Sequence, residues 1–74
     1  MRRVAANYIK IGERTLINHV VEIIGQRVVN YYPLKGEIAM TEWLGGTIEI
    51  VEGGAYHSKN VSTHNWELLI EPED

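Results

Sequence analysis

Three histidines are the residues best suited to metal chemistry in this sequence: His19, His57 and His64. A zinc site needs three or four converging ligands, usually with one closely spaced pair, and these histidines are widely spaced. His57 and His64 could meet across a loop, with Glu52 or Glu67 adding an oxygen. The spacing favours polar loop histidines instead, and a hydrogen-bonded His19 near a sheet edge. The sequence therefore predicts no metal and no cofactor.

Nucleophilic catalysis has weak support in the sequence. Ser58, His57 and Glu52 supply the residue types of a serine triad, but no nucleophile elbow or oxyanion motif surrounds them. The chain has no cysteine, which excludes a thiol nucleophile and a disulfide framework. Two Gly-Gly pairs, at 45–46 and 53–54, lack a lysine at Walker spacing, so we interpret them as turns. We expect a protein that is not an enzyme.

The aromatic side chains are the remaining candidates for binding. Tyr31 and Tyr32 are adjacent in a predicted strand, so they point to opposite faces and one of them is exposed. Exposed rings could stack a sugar or a base, or could lie in a protein interface, where Tyr and Trp are enriched. The competing interpretation, which the sequence favours, is that most of the aromatic side chains fill the core. The candidate interaction surface consists of Tyr31, Tyr32, Trp43 and Trp66.

Length and charge restrict the class of protein. The 74 residues are enough for one domain, residues 1–74. The net charge of −3 disfavours nucleic acid as a partner, because such proteins usually carry a basic surplus. No apolar run is long enough to span a membrane. Polar residues interrupt the N-terminal segment where a signal peptide needs an unbroken apolar stretch, so we expect a cytoplasmic protein.

Alternating apolar and polar residues predict strands along most of the chain. Gly25-Gln26 suits a two-residue hairpin loop. We expect an all-β fold, a small β-sandwich or partly closed barrel of about six short strands. In the second strand, Ile17, Val21 and Ile23 are expected on one face. The predicted strands are residues 4–11, 16–24, 27–32, 37–43, 47–51 and 65–71.

Three segments are harder to assign. Residues 37–44 combine strand alternation with residues that favour a helix, and we expect a strand. Residues 55–64 are polar without a clear period, which indicates a loop that includes at most a short strand around Tyr56. In residues 65–71, Trp66, Leu68 and Ile70 are expected to point inward, and Pro72 to end the strand.

The segments RVAANYI (3–9), LINHVVEI (16–23) and RVV (27–29) resemble the start of amidohydrolase-superfamily enzymes, where a strand with the pattern Leu-x-Asn-Gly-x-Val-x-Ile turns into Arg-Ile-Val. The segment EIAMTEWLGG (37–46) is similar to the stretch that leads to the catalytic barrel in that family. The resemblance implies the composite β-sandwich domain that flanks the barrel. The His-x-His pair of the first barrel strand is absent, and His19 stands where the family usually has glycine.

The resemblance thus implies the accessory domain of that family without its catalytic barrel. We expect a non-catalytic β-module that acts through self-association, as a homodimer, or through binding another protein. A small core without disulfides leaves little net stability, so association with a second chain would help. The alternative is a module that binds a small molecule or carbohydrate with exposed tyrosines and tryptophans.

Overall fold

The computed structural model describes residues 1–36 and 38–71, so the predicted roles of Glu37 and Pro72 lie outside the described residues. Within the described ranges the chain is built from strands and one short 3-10 turn, which confirms the predicted all-β fold. The strands are β1 (Arg2–Ile11), β2 (Arg14–Ile24), β3 (Arg27–Pro33), β4 (Thr41–Trp43), β5 (Thr47–Val51), β6 (Gly54–Ser58) and β7 (Glu67–Leu69), with the turn at Val61–Thr63.

All seven strands belong to one sheet that is not closed into a barrel. The order is β3-β2-β1-β5-β6-β7, and β4 also pairs with β1. The edge of β1 opposite β2 pairs with two parallel strands. β4 pairs with residues 3–5 of β1, and β5 pairs with residues 8–11. The other strand pairs are antiparallel, as short hairpin connections require.

Two asparagines mark a change of face in the middle of the two longest strands. The core residues Ala6 and Ile9 are three positions apart on β1, although strict alternation would place them an even number apart. The pairing of β1 with β2 skips the position where Asn7 faces Asn18. Asn18 has a φ of 52°, a left-handed conformation that asparagine tolerates better than most residues. The face directed to the core therefore changes at this position in both strands.

The core lies on the inner face of the curled sheet. Its buried side chains come from both halves of β1 and from four other strands, and the partly buried Ile11, Leu16, Val28, Leu44 and Ile50 pack against them. Two backbone hydrogen bonds bring distant parts of the sheet together, from Val28 N to Gly53 O and from Glu71 N to Gly25 O, each at 2.7 Å. The buried set is Val4, Ala6, Ile9, Val21, Ile23, Ile48, Ala55 and Leu69.

The structure corrects two local predictions and makes a third definite. Of the segment 37–43, only Thr41–Trp43 is strand, and the described residues of the segment form no helix. The short strand that the sequence allowed around Tyr56 is β6, which pairs with both β5 and β7. In β7 the inward residue is Leu69, whereas Leu68 and Ile70 are exposed.

Ile17 is also exposed, contrary to the prediction that it shares a face with Val21 and Ile23. Regular alternation does put residues four and six positions apart on one side. The left-handed Asn18 interrupts that alternation immediately after Ile17. Ile17 therefore points away from the core while Val21 and Ile23 are fully buried within it.

Candidate functional site

A small ionic network lies on the outer face, the side of the sheet opposite the core. Arg3 Nε donates to Glu22 Oε2 at 2.7 Å, and the Tyr32 hydroxyl donates to the same oxygen at 3.1 Å. Strand register explains the arrangement, because Arg3 pairs with Glu22 across β1 and β2. Glu22 is buried, with only 8% of its surface exposed. The two donors compensate the cost of burying its carboxylate.

The network shifts the ionisation of its members. The Arg3 guanidinium holds the pKa of the Glu22 carboxyl below its usual value, and the Tyr32 hydroxyl acts in the same direction against the opposing effect of burial. Burial raises the pKa of Tyr32, and its bond to Glu22 adds to that increase. Each shift favours the arrangement seen, a carboxylate that accepts from a guanidinium and a neutral phenol.

Acid is expected to weaken this network. Because the pKa of Glu22 is lower in the folded state, its contribution to stability is present above the unfolded value of 4.5 and is lost as pH falls through the folded value. We predict that Glu22→Gln makes the melting temperature fall less steeply between about pH 5 and about pH 2. Thermal unfolding followed by circular dichroism measures this. Glu13→Gln, in the exposed β1–β2 turn, is the control and should keep the wild-type slope.

The outer face also carries a group of exposed apolar side chains that we call the outer patch: Tyr8, Ile17 and Trp43. Their exposed fractions are 48%, 65% and 55%. Tyr8 and Ile17 are directly paired across β1 and β2, which places their Cβ atoms about 5 Å apart. The Trp43 Nε1 atom lies 3.7 Å from the position that a Cβ on Gly45 would occupy, and Asn7 Oδ1 is equally close to it. The indole therefore lies beside the residue that precedes Tyr8.

The four aromatic residues predicted from the sequence do not form one surface. Tyr32 and Trp43 share the outer face, since they pair with Val20 and Ala5, which are themselves partners. Tyr31 pairs with Val21, so it lies on the inner side at the β3 edge. Trp66 precedes β7 and lines a cleft near the β6–β7 connection.

Sequence reasoning missed Tyr8 and Ile17 as surface residues. Both lie in strands with strong apolar alternation, and alternation alone assigns Ile17 to the core face. The available signal was the pair Asn7 and Asn18, each in the middle of a predicted strand, where asparagine is depleted. Asparagine in such a position indicates an irregularity, and here the irregularity exposes the two neighbouring side chains.

The cleft near the β6–β7 connection holds two of the three histidines. It is open to solvent and has a volume of about 470 Å³. His57 is buried in β6, and its Nε2–H donates to Gly45 O at 2.9 Å, so it is not the loop histidine expected from the sequence. His64 is exposed and ends the 3-10 turn with a left-handed φ of 56°. The lining consists of His57, Ser58, Lys59, Asn60, Thr63, His64, Asn65, Trp66 and Glu67.

Neither a metal centre nor a triad is assembled from the residues considered above. Across residues 1–36 and 38–71, no group of three metal-ligating side chains is close enough to hold an ion. Glu52 lies in the β5–β6 turn, whereas His57 and Glu67 line the cleft. The Ser58 hydroxyl is enclosed and has no hydrogen-bond partner in the described part of the chain. His19 lies elsewhere, with Nδ1 bonded to Ile17 O at 3.0 Å.

Comparison with known proteins gives no relative from which a function could be transferred. No protein-family model matches the sequence, and neither a curated protein nor a solved structure is significantly similar to it. The part of the chain that the structure describes contains no helix with the length and hydropathy needed to cross a membrane. The described part of the structure defines the class of the protein as an all-β domain built on one seven-stranded sheet.

Proposed function

We propose that the protein is a non-catalytic β-module that pairs with a second copy of itself through the outer patch. The observation that carries the proposal is the exposure of three large apolar side chains, Tyr8, Ile17 and Trp43, on one face of neighbouring strands. Together they expose on the order of a few hundred Å², about the size of the largest apolar patch on a typical monomer, which is often functional. Aromatic side chains are enriched at the centre of such interfaces.

The charges next to the patch are self-complementary. Lys10 and Glu49 are register partners of β1 and β5, two pairs beyond Tyr8, so they lie side by side on the outer face. A two-fold axis through the patch can bring opposite charges together across the interface. A stable dimer buries roughly 800 Å² per partner. The outer patch would form the centre of such an interface, and polar residues of the same face would form its rim.

Pairing through the β3 edge is less favourable than pairing through the outer face. The register of β3 against β2 shifts between Glu22 and Ile23, which leaves Val29 without a strand partner. Bulges at edge strands disturb the row of backbone groups that another chain would use. Pro33 ends the strand and has no backbone donor.

The resemblance to the accessory domain of amidohydrolases is part of this proposal. In a full-length relative, one apolar face of that domain would lie against the catalytic barrel. A second copy would cover the outer patch in place of the barrel. Removal of apolar surface from water is favourable whichever protein covers it. A cytoplasmic location belongs to the same proposal and rests on the sequence alone.

Light scattering coupled to size exclusion tests the dimer. The expected mass rises from one chain, 8.4 kDa, to two chains as the concentration increases through the micromolar range. Ile17→Lys places a charge in the outer patch, next to Tyr8, and should keep the protein monomeric. Val29→Lys is the matched control, since Val29 is similarly exposed but lies on β3 outside the patch. It should dimerise like the wild type.

Two outcomes would contradict the proposal. One is a wild-type mass of one chain that persists to about 1 mM, a concentration at which even weak dimers form. That result would indicate that the outer patch binds a different protein. The other is a dimer that Val29→Lys dissociates and Ile17→Lys does not, which would place the interface at the β3 edge.

A further inference from the structure

We propose that the cleft lined by Trp66 binds a neutral sugar. The cleft shares no residue with the outer patch, so this inference is independent of the dimer. Its volume of about 470 Å³ lies within the range of roughly 300–1,000 Å³ that small-molecule sites occupy. It lies between the end of β6 and the start of β7, where the connection carries a 3-10 turn.

One wall of the cleft is pre-organised by Asn60. The Asn60 Oδ1 atom accepts from the backbone N–H of Ser62 at 3.1 Å and from the Ser62 hydroxyl at 2.7 Å. The Asn60 carbonyl accepts from the Thr63 hydroxyl at 2.8 Å and from the Thr63 N–H at 3.1 Å. These bonds hold the turn in one conformation, which lowers the entropy that a ligand would have to offset.

Trp66 supplies the apolar part of the site. It lies immediately before β7 and is partly buried, and part of its surface is open to the cleft. A pyranose presents a face of C–H groups, and an indole offers a large rigid apolar surface with little conformational entropy to lose. Stacking of a sugar ring on Trp66 follows from this match.

The polar residues around Trp66 fit hydroxyl groups. Asn65 and His64 are exposed side chains that each provide a donor and an acceptor, as a sugar hydroxyl does. Lys59 and Glu67 contribute one positive and one negative charge, which offset each other. A phosphate or another anion would need a surplus of positive charge that this lining does not provide. A neutral polyhydroxylated ligand is therefore favoured over a nucleotide.

The indole signal of Trp66 in a ¹H–¹⁵N spectrum gives a direct test. The chain contains only two tryptophans, so Trp43→Phe leaves Trp66 as the sole indole. The probes are maltotriose, cellotriose and triacetylchitotriose, each added to about 20 mM, which saturates a site with a dissociation constant near 1 mM. At least one of them should shift the Trp66 indole signal saturably. Inorganic phosphate at the same concentration should not shift it.

Two variants test the assignment to the cleft, with binding followed by the backbone signals of residues 59–67. Trp66→Ala should weaken sugar binding about tenfold or more, because the stacking surface is lost. His64→Gly should weaken it several-fold without harming the fold, since glycine adopts the left-handed conformation of this residue readily. A dispersed spectrum shows that each variant remains folded, and Trp66→Tyr should retain part of the affinity if Trp66→Ala unfolds.

The proposal is overturned if none of the three sugars gives a saturable shift. It is equally overturned if the shift persists at full affinity in both Trp66→Ala and His64→Gly, or if phosphate binds more tightly than every sugar. Sugar binding by a strictly monomeric protein would leave this inference intact while contradicting the proposed dimer.

Discussion

Gly46→Ala is expected to remove a large part of the stability of the fold, about 2–5 kcal/mol. Gly46 has a φ of 60°, and a Cβ added there would lie 2.3 Å from the Ser58 carbonyl oxygen and 2.8 Å from the Lys59 Cα atom. The left-handed conformation alone costs an L-residue about 1–2 kcal/mol. The clash is with backbone, so it adds an overpacking cost of about 1–3 kcal/mol. A domain of this size has roughly 4–11 kcal/mol in total.

Hydrogen bonds to β1 leave Gly46 little room to move away from the clash. Its N–H donates to Asn7 Oδ1 at 2.9 Å, and its carbonyl accepts from Tyr8 N at 3.1 Å. These bonds connect the turn before β5 to the middle of β1. Relief of the clash with Ser58 would therefore break hydrogen bonds at the position where β1 changes face.

Thermal unfolding measures this effect, and Gly12→Ala is the matched control. Gly12 has nearly the same φ, 59°, but no atom lies within 4 Å of the position of an added Cβ. Gly12→Ala should therefore lose only the stability that the left-handed backbone conformation costs an alanine. At about 4–8 °C per kcal/mol for a domain of this length, Gly46→Ala should lower the melting temperature by about 8 °C or more. Equal losses in the two variants would contradict the close approach of Gly46 and Ser58.

Ile9→Ala is expected to have the second largest effect. Ile9 is fully buried and pairs with Leu16 on one side and Ile48 on the other, so it lies at the centre of the sheet. Loss of its methyl and methylene groups removes buried apolar surface and leaves a cavity. Such substitutions cost about 2–5 kcal/mol. The unfolding free energy from urea titration is the appropriate measurement.

Ile17→Ala provides the matched control for this substitution. The two isoleucines belong to neighbouring strands, but Ile17 points outward and is 65% exposed. In dilute solution, where dimerisation does not contribute, Ile17→Ala should change the unfolding free energy by only about 0.5 kcal/mol. A larger loss for Ile17→Ala than for Ile9→Ala would contradict the change of face at Asn18 and return Ile17 to the core.

Much of the fold could be predicted from the sequence because its signals are local. Alternation over residues 4–11 and 16–24, together with Gly25-Gln26 between two apolar segments, correctly predicted the first three strands. These signals depend only on the two-residue period of a strand and on the backbone freedom of glycine. The same local signals predicted the lack of α-helix, which the described residues confirm.

The candidate sites were only partly predictable. Trp43 and Trp66 were selected from the sequence by residue type; in the structure Trp43 is exposed and Trp66 lines a cleft. Which of them would neighbour Tyr8 or His64 depends on strand order, and a sequence pattern does not contain strand order. β4 and β5 pair with the same edge of β1 although they follow one another in the chain, so the placement of Trp43 beside Asn7 depends on that long-range pairing.

The sequence by itself determined the class of fold and the first hairpins, because period and turn chemistry act between near neighbours. Only the tertiary structure decided which side of each long strand faces the core. The left-handed Asn18 interrupts the alternation of β2 at the position where the paired strand β1 also changes face. The exposure of Ile17 and of its partner Tyr8 follows from that change, since a strand has only two faces and a shift of one residue exchanges them.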